Sequence, residues 1–252
     1  MTNETQGFKD ATILIIGGSG GIGGALSRIL VHSGARVVAT GRDPARLQAL
    51  ADEVGCETRV LDDAADFDAV EALVGELAGG EHGLAGAVNC AGSILLKPAH
   101  LTRRSELDET LRQNLHTAFA LVRAAGRHMT EGGSVVLFST AAVRIGLTAH
   151  EAIAAAKGAV EGLTRSAATT YSARGLRVNA VAPGLVDTPL SSRILGNEAG
   201  RKASLALHPL GRLGEPSDVA RVAAFLLDPA NDWMTGQVIG VDGGLSTLRP
   251  RG

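Results

Sequence analysis

Short apolar runs rich in β-branched residues alternate along the chain with longer segments whose apolar positions recur at helical spacing. The runs Thr12–Ile16, Arg36–Ala39, Thr58–Leu61, Leu84–Val88, Ser134–Phe138, Arg177–Val181 and Val238–Val241 predict strands: each is brief, nearly continuous in apolar character and bounded by polar or glycine turns. Between them, Gly21–His32, Asp43 to about Val54, Asp66–Leu77, Ser105–Met129, Ala149–Tyr171 and Pro216–Leu227 predict helices. Asp43 followed by Pro44 is a strong start signal. The aspartate offers a capping oxygen, and proline lacks an N–H only where a first helical turn does not use it. This alternation predicts an α/β fold: a doubly wound, mostly parallel sheet of seven strands with helices on both faces. Right-handed crossovers restrict the topology further. Leu185–Gly214 shows no clear periodicity and is expected to be an irregular lid or binding loop.

Composition narrows the class without changing the fold. A chain of 252 residues suits one α/β domain, spanning 1–252, with ample length to bury a core. The net charge of −2 carries no block of like charges, and aromatic residues make up 3%, so neither nucleic acid nor an anionic membrane surface is an expected partner. The two cysteines, Cys56 and Cys90, fall in different βα units and read as free thiols of a reducing compartment. Met1–Asp10 is polar, and no apolar run approaches membrane-spanning length, so the expected location is cytoplasmic. No metal is expected.

The chemistry begins where the first strand ends, in Gly17-Gly18-Ser19-Gly20-Gly21-Ile22-Gly23-Gly24, with a helix following at once. Glycines let such a turn close and bring backbone N–H groups to a pyrophosphate, whose charge the helix N-terminus favours. That strand–turn–helix context identifies a Rossmann-type dinucleotide site. The spacing Gly17, Gly21, Gly23 resembles the short-chain dehydrogenase/reductase family. Asn89-Cys90-Ala91-Gly92 is similar to that family's N-N-A-G after strand four. Asn114-Leu115 lies in the helix where it keeps an asparagine. Ala180-Val181-Ala182-Pro183-Gly184 follows strand six as its P-G motif does, and Val241-Asp242-Gly243-Gly244 resembles its last strand. The resemblance runs from Thr12 to about Leu245. It implies a nicotinamide dinucleotide held by Gly17, Ser19, Gly20, Gly21, Ile22, Gly23, Asn89, Ala91, Gly92, Lys157, Pro183, Gly184, Val186 and Thr188. It also implies a homotetramer in which the two long helices pack across a two-fold axis.

NAD-binding sites carry an acidic residue at the end of strand two, for the ribose hydroxyls. By resemblance that position is Gly41, and Arg42 follows. A guanidinium there pairs with a 2′-phosphate, so NADP(H) is expected in preference to NAD(H), with NAD(H) still admitted. Asp62, after strand three, resembles the family's aspartate near the adenine, and it also reads as a turn residue.

The family's mechanism uses Ser, Tyr and Lys, with Tyr and Lys spaced Y-x-x-x-K on one helix face. The lysine charge lowers the phenol pKa, and the phenol passes the proton. Lys157 matches the lysine, but Ile153 stands at the tyrosine position and has no exchangeable proton. Tyr171, the only tyrosine, is about fourteen residues beyond Lys157, roughly 20 Å along a helix. Thr140 aligns with the serine, with Ser139 beside it. His150 is seven residues before Lys157 and returns to nearly the same helix face. Some enoyl-reductase branches of the wider family place their tyrosine at that interval. With an unperturbed pKa of about 6.5, an imidazole suits acid–base work; the alternative is a polar residue of the first helical turn. Asn114, Ser139, Thr140, His150 and Lys157 are thus the catalytic candidates. Asn114 equally suits a buried tie to strand four, and Glu151 favours the helix N-terminus.

Three functions remain open. The first is NADP-dependent hydride transfer with a small carbonyl, enone or alcohol, with His150, Lys157 or water as acid. The second is a cofactor-binding, inactive subunit. The third is a non-redox lyase or isomerase with His150 as base. Arg193, Arg201, Lys202 and His208 in the lid segment read as solvated charges, and no substrate is assigned from them.

Overall fold

A computed structural model describes residues 7–196 and 198–249; residues 1–6, at the start of the polar opening segment, lie outside the described residues. Seven strands form one sheet in the order β3-β2-β1-β4-β5-β6-β7, and every neighbouring pair is parallel. The strands are β1 Thr12–Ile16, β2 Arg36–Gly41, β3 Glu57–Val60, β4 Gly86–Asn89, β5 Gly133–Phe138, β6 Leu176–Pro183 and β7 Val238–Val241. Strand order reverses between β1 and β4, which opens a crevice at the carboxyl edge, the place where such sheets bind ligands.

Side-chain alternation along the strands splits the interior into two cores. Leu14 and Ile16 of β1 and Val135 and Leu137 of β5 face one side, against helices α3 (Phe67–Ala78), α5 (Thr117–His128) and α6 (Glu151–Tyr171). Ile13, Ile15, Val136 and Phe138 face the other, against α1 (Gly21–His32) and α9 (Pro216–Leu227). Helix α2 (Pro44–Val54) starts as its sequence requires: the Asp43 carboxylate accepts from the N–H groups of Ala45 and Arg46 at 3.0 and 3.2 Å. It stops at Gly55, whose φ of 73° is left-handed.

Several boundaries differ from the expected ones, each for a physical reason. β2 runs on to Gly41, because Thr40 and Gly41 pair with Arg59 and Val60 and the Thr40 carbonyl accepts from Gly18. β3 starts a residue early, at Glu57, and ends at Val60; Arg36 and Arg59 pair with the Glu57 carboxylate at this edge. β4 begins at Gly86 rather than Leu84, with Ile13 and Leu227 pressing into the space a side chain would take. β5 gains Gly133 at its start, and β6 gains Leu176 at its start and Ala182 and Pro183 at its end.

The long helix expected over Ser105–Met129 is broken into α4 (Arg104–Leu111), a π-turn at Arg112–His116, and α5. Helix α6 begins at Glu151, because Ala149 has a φ of 62° and His150 occupies the cap. The segment 185–214 is not irregular. It holds a 3₁₀ turn at Pro189–Ser191, α7 (Ser192–Leu195) and α8 (Glu198–Leu207). These helices are too short for the periodicity signal to register.

Candidate functional site

The turn after β1 forms a cradle. Gly17 has a φ of 78°, and a side chain on it would meet the Ala91 nitrogen at 2.9 Å. At Gly23 a side chain would strike the Gly17 carbonyl at 2.3 Å. Gly17 is therefore required for the turn to lie against the loop after β4, and Gly23 for α1 to start hard against that turn. Helix α1 has Gly20 at its cap and receives no side-chain hydrogen bond there, so its N-terminal dipole is left for a ligand. Thr188 lies over this helix start: its Cγ2 is 2.7 Å from where a Gly21 side chain would begin. Ser19 sits in the turn, and Ile22 lines the cavity beside it. These features fit the diphosphate of a dinucleotide.

At the end of β2, Gly41 packs on Ser19, whose hydroxyl lies 2.7 Å from a hypothetical side chain. Arg42 is exposed, and among the described residues it forms no hydrogen bond or ion pair. A second guanidinium, absent from the sequence reading, joins it: Arg46 donates to the Ser19 carbonyl at 2.6 Å. Its signal was position, the third residue of a helix capped at Asp43. Asp62 is exposed after β3; its neighbour Asp63 instead pairs with Arg112 and caps Ala65.

The π-turn explains Asn114. Its side-chain NH₂ donates to the Thr110 carbonyl at 2.9 Å and to the Ser93 hydroxyl at 3.1 Å, while its Oδ1 accepts from the Ser93 N–H at 3.3 Å. Buried as it is, the asparagine binds α4 to the loop after β4. Asn89 is also committed internally, donating to Thr117 and accepting from Ala91. Ala91 and Gly92 continue from it along the cavity wall.

Lys157 is 8% exposed, and none of the hydrogen bonds or ion pairs among the described residues involves it. Burial pulls its pKa down to about 8, against a small opposing effect of Cys90. Cys90 is itself held as a thiol, its pKa pushed up to about 12 by burial. The two candidate hydroxyls separate. Ser139 donates to the buried Glu161 carboxylate at 2.9 Å and is occupied. Thr140 only accepts, from the Ala142 N–H at 3.3 Å, so its hydroxyl proton is free to donate. His150 points Nδ1 at the Thr148 carbonyl at 2.8 Å; that nitrogen carries the proton and Nε2 is the open acceptor. Glu151, exposed at the helix start, accepts weakly from the Ala99 N–H at 3.4 Å. Tyr171 packs on Gly126 at the far end of α6 and plays no part.

Asn114, Ser139, Thr140, His150, Ile153 and Lys157 line one cavity of about 570 Å³, closed by Pro183, Gly184, Val186, Thr188 and the segment carrying α7 and α8. His208 is not a solvated charge. It is 4% exposed, with Nδ1 donating to the Ser204 carbonyl at 2.7 Å and Nε2 accepting from the Leu185 N–H at 3.1 Å. It clasps the end of α8 to the turn after β6. Gly184 makes room for the ring, which lies 2.7 Å from where its side chain would begin.

A family model described as enoyl-(acyl carrier protein) reductase matches residues 17–246. The chain is 37% identical over 246 residues to a 2,5-dichloro-2,5-cyclohexadiene-1,4-diol dehydrogenase of Sphingobium indicum, covering 94% of this chain and 97% of the relative. It is 35% identical over 232 residues to an inactive 2-(S)-hydroxypropyl-CoM dehydrogenase 2 of Xanthobacter autotrophicus, covering 88% and 100%. Among solved structures, a short-chain type dehydrogenase/reductase from Mycobacterium ulcerans superposes with a TM-score of 0.90 at 33% identity, over 96% of this chain and 92% of that one.

Proposed function

The chain belongs to the short-chain dehydrogenase/reductase family of oxidoreductases, and from that premise we propose that it is an NADP(H)-dependent enzyme acting on a small carbonyl, enone or alcohol, with His150 in the role of the missing phenol. The observation that carries this reading is the shared cavity. His150 Nε2 and the Thr140 hydroxyl are both uncommitted there, in a lining that also holds Lys157 and Ile153.

The nicotinamide, when bound, supplies or accepts the hydride. Thr140 donates its free hydroxyl to the substrate oxygen and orients it. Protonated at Nε2, His150 delivers the proton in reduction and recovers it in oxidation, while its Nδ1–H stays on Thr148 and fixes the ring. Lys157 and Asn114, which both approach Gly92, would hold the ribose hydroxyls of the bound cofactor through the lysine Nζ. Arg42, exposed after β2, and Arg46, tied to the Ser19 carbonyl, would supply guanidinium charge to a 2′-phosphate, which supports NADP(H) over NAD(H).

Fluorescence titration with NADPH and NADH, then turnover on a carbonyl and enone panel, tests the reading. Arg42→Ala and Arg46→Ala are each expected to weaken NADPH binding about tenfold and leave NADH unchanged, the scale of one charge-assisted contact. His150→Ala is expected to abolish turnover with cofactor binding intact. Tight NADPH binding without turnover, rescued by Ile153→Tyr, would instead favour an inactive cofactor-binding subunit. Ile153 and the relative named as inactive motivate that second reading.

The assembly proposed is a homotetramer. Two separate apolar surfaces stand exposed: Leu107 and Phe119 on α4 and α5, and Phe225 and Trp233 near β7. Two independent patches are what a tetramer of two-fold contacts needs.

A further inference from the structure

The mouth of the cavity has an unusual chemistry for a surface. Ile94, Leu96, Leu190 and Leu207 all line it, and they stand 37%, 39%, 53% and 43% exposed. Ile94 and Leu96 come from the loop after β4, Leu190 and Leu207 from the lid opposite, so the entrance is apolar on both sides. Inside, Leu147 and Ile153 carry that surface down to Thr140.

Beside these four side chains the lining carries no Asp, Glu or Arg, and its cationic groups, His150 and Lys157, belong to the catalytic end of the cavity. Arg193, Arg201 and Lys202 all lie outside the cavity lining and are exposed, and Arg201 pairs with Asp187 at 3.3 Å. His208 lines the cavity, but both its ring nitrogens are spent on backbone groups. Lys157, at the floor, is the one Lys or Arg side chain of the lining. An entering carboxylate, sulfonate or phosphate would lose its water and gain no partner at the mouth, a heavy cost in an apolar setting.

We propose that this cavity selects a neutral, apolar carbonyl or alcohol, without an ionised group or carrier handle; the proposal rests on the oxidoreductase reading and specifies its substrate class. Ile153 belongs to the selecting surface, since it adds hydrocarbon to the lining between His150 and Lys157 in sequence.

A size-matched set distinguishes the outcomes: 4-methylcyclohexanone, anionic 4-oxocyclohexanecarboxylate and cationic 4-aminocyclohexanone. Binding is read by thermal shift and calorimetry, with and without NADPH. The neutral ketone is expected to bind at least about tenfold more tightly than either charged analogue. Leu207→Arg, and separately Leu190→Arg, is expected to narrow the gap for the anion about tenfold and to widen it for the cation. Both positions are exposed enough to take the change without loss of fold. Equal or tighter binding of the anion by the unaltered protein, or no binding of the neutral ketone, overturns the proposal. NADPH retention is scored separately. If NADPH is not held while the neutral ketone still wins, the function falls and the cavity's preference stands. If NADPH is held and hydride passes only to the anion, the preference falls and the function stands.

Discussion

Lys157 is the costliest side chain of the site. Burial in an apolar cavity penalises its ammonium form, so its pKa lies near 8, well under the usual lysine value of 10.5. The sign of the pH effect follows. Between about pH 8 and 10.5 the unfolded chain holds a proton that the folded chain has released, so stability rises with pH across that window. Below pH 8 the full penalty is present, about 3 kcal/mol at most on this shift. Lys157→Met is therefore expected to raise the stability of the cofactor-free protein at pH 7, and its advantage should shrink as pH climbs to 10. Urea unfolding of the two proteins side by side measures the difference, and no narrowing would contradict the buried-charge account. Individual residues were unevenly legible. Gly17, Gly23 and Lys157 stood out because spacing along one strand, one turn and one helix fixes where they go. Arg46 and Glu161 did not, since each matters only through a partner, Ser19 or Ser139, more than twenty residues away.

At the scale of elements, short-range chemistry was readable and long-range contests were not. The cap at Asp43, the stop at Gly55 and the strand β1 follow from neighbouring residues alone. The π-turn does not: it forms because Asn114 takes a carbonyl from its own helix while also gripping Ser93, a contact between segments far apart in sequence. The same holds for the lid, where His208 clasps the end of α8 to the turn after β6. His208→Leu removes the acceptor of the Leu185 N–H. The expected cost is about 1–3 kcal/mol, the price of one buried donor left unpaired. Because the clasp joins the lid to the sheet edge, the effect should concentrate in segment 185–214. Limited proteolysis is expected to cut there sooner, with the overall unfolding midpoint moved less. Uniform loosening of the whole chain would show that His208 does not act locally.

For the whole molecule, the alternation of strand and helix predicted the parallel sheet, and the order of strands placed the crevice. Association is the level at which sequence was weakest, since alanine-rich faces allow close packing without requiring it. Phe119, stacked on Phe67 with ring centres 5.8 Å apart, is a pre-set aromatic surface on α5, and Trp233 is 98% exposed at the opposite side of the sheet order. Sedimentation velocity is expected to show a tetramer, with Phe119→Asp or Trp233→Asp each reducing it to a dimer. A monomer in the unaltered protein would remove the basis for both patches.

The division of the interior into two cores has a mechanical consequence. Helix α1, which starts the cradle, is rooted in one core, while α6, which carries Lys157, is rooted in the other. A dinucleotide reaching from the first to the second would tie across the sheet like a rivet through two plates. Its departure would let each layer breathe on its own, so occupancy of the crevice, more than any single contact, would make the two halves of this domain melt as one.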